Sequence, residues 1–345
     1  MKNLLEQLYE NKRKIDFDTF DITTKELVSM VSELMIDISP EYQRQFRWTE
    51  DMESLFIESV LLGIPVPSLF MVANKDGTWE LIDGVQRLST VIHFMGDESL
   101  RKQIDKKASL KLKNLEKLSS FNEKEFDNLP QSVQLQFALR PLKITTISDK
   151  SDFDIRFDLF ERLNTGGIKL KPQEIRACIF RGDFNDLIRE LSLNKNFRHV
   201  LRLSRLKEKD GTREEMVLRF FAFLENYNNF GPSVKKFFNN YMAKATKSRS
   251  YKQYIKLFED TFKRLHNELP QGIIRGNRKT TPIILYEAVA VGAALAIMEG
   301  AEIRNTDVAV WMNNKELKIL TTGATNSSEK VKARIEYCKN KFMKK

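Results

Sequence analysis

Apolar positions along the chain change their spacing near residue 180, and the change divides the sequence into two readings. In the first part, Leu27, Val28 and Val31 recur at helical spacing behind a Thr23 or Thr24 cap, and Met35 to Ile38 predicts a strand ended by Pro40. Glu50 to Leu62 predicts a helix with Met52, Leu55, Phe56, Ser59 and Val60 inward and Gly63 as its stop. Pro65 and Pro67 lead into a strand at Leu69 to Val72, a turn at Asn74-Lys75-Asp76-Gly77 and a second strand from Trp79 to Ile82. A helix from Val85 to Met95 follows at once and turns Leu88, Val91 and Ile92 inward. Further on the pattern gives a short helix (Gln131 to Ala138) and a strand (Pro141 to Ile147). A helix capped by Ser151 or Asp152 then runs through Phe157, Phe160 and Leu163 to Asn164-Thr165-Gly166-Gly167, and Pro172 opens the next.

From about Asn185 the periodicity is helical throughout. Met216, Val217, Phe220, Phe221 and Leu224 form a core stripe, and Asn326 with Glu329 can cap the last helix. Pro282 to Met298 is apolar enough to raise the question of a membrane span. It falls short of the roughly 20 residues a span needs and contains Glu287, so it reads as a buried core helix. The chain is therefore expected to be α+β up to residue 182, with a small mixed sheet, and all-α over 183–345.

Charge narrows the class of partner. Lys and Arg exceed Asp and Glu by 57 to 47, a net charge of +10 that favours a polyanion, nucleic acid before membrane. Cys178 and Cys338 are too far apart in sequence to suggest a disulfide framework, and the N-terminus has no signal-like apolar run, so a cytoplasmic protein is expected. Basic residues recur between the C-terminal helices. Lys235, Lys236, Lys244, Lys247 and Arg249, then Arg275, Arg278 and Lys279, are the candidates for a DNA-binding groove. Lys102, Lys106, Lys107, Lys111 and Lys113 could follow a phosphate backbone but read first as solvated surface.

The candidate chemistry centres on Asp83-Gly84-Val85-Gln86-Arg87, at a junction of strand and helix. Such a turn leaves backbone N–H groups open to an anion. Here it also carries a carboxylate able to activate water, an amide able to orient a substrate, and a guanidinium able to clamp phosphate. Tyr42, Gln43, Arg44, Phe46, Arg47 and Trp48 interleave aromatic rings with guanidinium groups, an arrangement that can stack a base and hold its phosphate. Phe46 and Trp48 read equally well as core plugs. Arg162, Asn164 and Thr165, beside a Gly-Gly turn, supply a third polar cluster that a ligand can approach closely.

Taken together, Tyr42 to Trp48, Ile82 to Leu88 and Phe160 to Gly166 resemble the domain-of-unknown-function 262 family, the N-terminal domain family of GmrSD-type restriction enzymes. That resemblance, over about residues 20 to 180, implies a ParB/sulfiredoxin-like N-terminal domain and a role in defence against foreign, often base-modified, DNA. The family usually reads Asp-Gly-Gln-Gln-Arg, and Val85 departs from it at the third position. In fuller systems the domain hydrolyses nucleotides while a His-Asn-His nuclease domain cuts. His93, His199 and His266 fall in no metal-nuclease motif, and no Walker-type phosphate loop is present.

Two activities and a non-catalytic role follow as expectations. In the first, Asp83, Gln86 and Arg87 excise a flipped modified base from double-stranded phage DNA, as a glycosylase that needs no metal or cofactor. In the second, the same pocket hydrolyses a nucleoside triphosphate with Mg2+, using Arg44, Arg87 and Arg162 on the phosphates, and a separate nuclease subunit acts on the DNA. The third is a ParB-like DNA-binding module without chemistry.

Overall fold

The computed structural model describes residues 3–11, 17–38, 48–74, 76–148, 157–158, 161–162, 171–208, 210–231, 233–246, 251–304 and 306–343. The chain separates into two compact units, Met1–Ile168 and Lys169–Lys345.

The first unit is built on a five-stranded mixed sheet of β1 (Phe17–Thr23), β2 (Ile36–Asp37), β3 (Leu69–Ala73), β4 (Trp79–Asp83) and β5 (Pro141–Ser148), ordered β1-β5-β3-β4-β2. β1 pairs antiparallel with β5, β5 runs parallel to β3, the β3/β4 hairpin is antiparallel, and β2 lies parallel to β4. The edge strand β1 was not foreseen, because its residues are largely exposed and carry no alternation for a pattern to reveal.

Five helices that matter here lie in the same unit. They are α1 (Leu4–Asn11), α2 (Thr24–Ser32), α3 (Glu50–Leu62), α4 (Val85–Met95) and α6 (Gln131–Ala138), with the short α5 (Glu98–Gln103) after α4. Thr23 caps α2, Thr49 caps α3, and Gly63 closes α3 in the left-handed conformation. Leu88, Val91 and Ile92 of α4 are fully buried with Leu27, Ile57, Leu69, Met71 and Leu81, the core that fixes which way α4 faces.

The inward face of α3 differs from the expected one. Met52 and Leu55 are exposed, while Glu53, Ser54, Phe56, Ile57, Glu58 and Val60 are buried. The polar residues on that face anchor the lysine-rich segment that follows α5. Glu58 accepts the N–H groups of Lys117 and Leu118, and Ser54 accepts that of Lys113. Lys113 pairs with Glu50, Lys106 with Glu53, Lys111 with Glu125 and Lys102 with Glu98, so these lysines are paired with carboxylates of the chain itself.

The second unit is all-helical: α7 (Pro172–Ile179), α8 (Asp183–Ser192), α9 (Lys195–Val200), α10 (Thr212–Asn226), α11 (Val234–Ala245), α12 (Lys252–Glu268), α13 (Ile283–Met298), α14 (Val308–Trp311), α15 (Lys315–Thr321) and α16 (Ser328–Met343). α13, the apolar run, is buried almost throughout, and no helix among the described residues is long and apolar enough to cross a membrane. Its Glu287 is bound on both oxygens, by Arg334 at 2.7 Å and by Arg219, and Arg219 in turn holds Glu215 at 2.7 Å. Gly292 lets α16 approach closely, since a Cβ there would lie 2.6 Å from the Cβ of Cys338. The cap expected from Asn326 lies one residue later: Ser327 Oγ accepts the Lys330 N–H.

Candidate functional site

Gly84 sets the geometry of the site. It sits between β4 and α4 at φ 103°, and a Cβ there would meet Leu69 Cδ2 at 2.2 Å, so only glycine makes this turn against β3. A register shift between Phe70 and Met71 lies opposite, where Phe70 pairs with Asp83. α4 starts without a side-chain cap, as a turn open to an anion requires.

Arg87, one turn into α4, reaches back to Asp83 and donates from Nη2 to Asp83 Oδ2 at 2.7 Å. Its Nη1 donates to the carbonyls of Pro67 and Ser68, the latter at 2.9 Å, where the chain enters β3. Three of the five N–H donors of the guanidinium are thus spent on orienting the carboxylate and pinning the hairpin, which leaves two. The Arg87 side chain is only 12% exposed and that of Asp83 33%, so the carboxylate is the group presented to solvent. Among the described residues Asp83 Oδ1 has no hydrogen-bond partner.

Gln86 is turned toward the start of α3. Its side-chain oxygen accepts the Trp48 N–H at 3.0 Å, which ties the end of the aromatic and arginine segment to the Asp-Gly-x-Gln-Arg turn. The Trp48 ring is partly buried and packs on Phe56 with centroids 5.7 Å apart, so it serves the core as well as the rim of the site. Asp83, Gly84, Gln86, Arg87 and Trp48 therefore come together. Tyr42, Gln43, Arg44, Phe46, Arg47, Asn164 and Thr165 lie outside the described residues. Arg162 is exposed, and among the described residues no hydrogen bond or ion pair joins it to Asp83.

A buried polar cluster under the site escaped the sequence reading. His93 Nδ1 bonds Glu53, and Lys106 reaches the other Glu53 oxygen at 3.2 Å. Since His93 lies two turns after Gln86 on α4, the cluster locks α4 to α3 beneath the functional turn. The available signal was Glu53 on a helix whose true inward face includes acids, and hydrophobic periodicity conceals that kind of face.

The C-terminal candidates divide by what they touch. Arg275 donates to Met312 O at 3.1 Å and Thr321 Oγ1 at 2.8 Å, bonds that hold the region of α14 and α15, while Arg278 and Lys279 are exposed. Lys236 and Lys244 are exposed on α11. Lys235 is half-buried and lies nine residues, or two and a half turns, from Lys244, so those two point to opposite sides. Lys247 and Arg249 lie outside the described residues. Among the described residues no three His, Cys, Asp or Glu side chains converge on a metal position.

Neither the curated proteins nor the solved structures contain a match to the chain. Residues 24–181, which span the whole hairpin, the Asp83 turn and α7, match the family described as GmrSD restriction endonuclease, N-terminal domain. The N-terminal part of this chain, with the Asp83–Arg87 pair at its strand-to-helix turn, belongs to that domain family.

Proposed function

We propose that the chain is a DNA-acting hydrolase of modification-dependent restriction, and that its reaction is excision of a flipped, modified base at Asp83. The observation that carries this reading is the Asp83 carboxylate itself. One oxygen is held by Arg87 and the other has no partner among the described residues, at a strand-to-helix turn that glycine alone makes against β3. A carboxylate so held can face the sugar of an extruded nucleotide and stabilise the oxocarbenium-like state as the bond from C1′ to the base nitrogen breaks. Water adds at C1′, its proton leaves with the base, and an abasic site remains. Arg87 acts as a positioning residue for Asp83, and Gln86 holds the Trp48 end of the aromatic segment beside it.

The uncapped start of α4 favours a second reading, in which that turn receives the phosphates of a nucleoside triphosphate and a separate nuclease cuts. A Mg2+ ion would then enter largely through the nucleotide phosphates, with at most one or two carboxylates of the protein. Against this, most of the Arg87 guanidinium is already committed to the protein.

Incubation with modified and unmodified phage DNA, with and without nucleotide, separates the two. Alkali-labile sites formed without nucleotide are expected, and phosphate release stimulated by DNA would replace the first reading with the second. Asp83→Asn should lower the observed activity by about 100-fold or more, the scale of a lost electrostatic stabiliser of the transition state, with the melting temperature kept. Retained activity removes Asp83 from the chemistry.

A further inference from the structure

The helical unit holds a cavity that the Asp83 site does not use. It opens among the start of α8, the ends of α10 and α11 and the start of α12, with a volume of about 170 Å³. Phe184, Tyr241, Tyr251 and Tyr254 supply its aromatic wall, and Glu225 and Lys244 its polar edge. The wall is built rather than incidental. Phe184 packs against Tyr241 and Tyr251, each at 5.7 Å between centroids, and the Tyr251 hydroxyl donates to Ala245 O at 2.9 Å. The Tyr241 hydroxyl donates to Glu225 Oε1 at 2.8 Å, and Tyr254 lines the same cavity. Burial, reinforced by Glu225, pushes the Tyr241 hydroxyl up in pKa, so it stays a donor and leaves Glu225 as the acceptor. A carboxylate offers about four lone-pair positions, so the Tyr241 bond does not exhaust it.

We propose that this cavity is a subsite for an unpaired pyrimidine bearing an exocyclic amino group, a cytosine-type base turned out of DNA. The inference rests on the reading that DNA is the substrate. The volume suits one ring, since a cavity of about 150 Å³ accepts a benzene molecule. The tyrosine faces supply stacking, Glu225 accepts from the amino group at ring position 4, and Lys244 at the rim meets the flanking phosphate. An aromatic cage for an organic cation is the competing occupant. The Lys244 ammonium at the mouth and the net charge of +10 both oppose it.

The test titrates the full chain with dCMP and with dUMP, which differ at ring position 4, and with choline. The wild type should bind dCMP about fivefold or more tighter than dUMP, the discrimination of one good base-edge contact. Glu225→Gln, whose amide also donates, should bring the two within about twofold of each other. Tyr254→Leu should weaken both by about tenfold, the loss of one stacking surface. Thermal melts confirm that each variant is folded. Equal binding of the two nucleotides by the wild type, no effect of either folded variant, or saturation by choline without dCMP binding overturns the proposal. A parallel titration compares paired duplex with duplex holding cytosine opposite an abasic site. Failure of the wild type to bind either duplex defeats the DNA reading, while the ratio of dCMP to dUMP judges the cavity alone.

Discussion

At the scale of single residues, Gly84 and His266 lead to opposite kinds of test. Gly84→Ala adds a methyl group where Leu69 already lies and forces an L-residue to φ 103°. The N-terminal unit should lose about 1–3 kcal/mol, read as a lower urea midpoint at unchanged slope. His266 stacks on His199 with centroids 3.8 Å apart and bonds Asn196. Burial first, then the neighbouring His199 and Arg202, lower its pKa from the ordinary 6.5. The folded state thus prefers the neutral ring, and its contribution to stability is present above pH 6.5 and is lost as pH falls through the lowered folded value. The melting temperature should drop over that window, and His266→Gln should flatten the drop. The Asp83 turn was legible from sequence because its turn chemistry is local. The partner of Gln86 was not, because the Trp48 N–H comes from 38 residues away.

Among elements, the hairpin, α4 and α13 could be read because their apolar residues follow one period and their ends carry local stop signals. α3 could be bounded but not oriented. Thr49 and Gly63 mark its ends, yet its buried face carries Glu53 and Glu58, whose partners are a histidine and loop N–H groups far along the chain. Tertiary pairing there overrides the hydrophobic pattern. The same physics governs α13, where Glu287 is 1% exposed and held by Arg334 and Arg219. Glu287→Ala should cost about 3–5 kcal/mol in chemical denaturation, because it leaves two guanidinium groups in the core without their shared carboxylate. A loss below about 1 kcal/mol would mean that the pair is not desolvated in solution.

Across the whole molecule, composition foretold a basic chain but not where the charge is used. Arg176 and Arg334 are buried and Arg219 is half-buried, all three committed to Glu215 or Glu287, and Lys102, Lys106, Lys111 and Lys113 answer carboxylates nearby. Clusters of positive residues in the sequence therefore do not map directly onto a surface for DNA, and Arg275 is the clearest case. The Glu287 network also bears on the order of events at the ribosome. Glu287 is made 47 residues before Arg334, and Arg219, made earlier, is shared with Glu215, so the core carboxylate gains its second guanidinium only once the final helix has been synthesised. The sheet of the first unit is complete by Ser148, so that half can mature during translation while the helical half waits for its last segment.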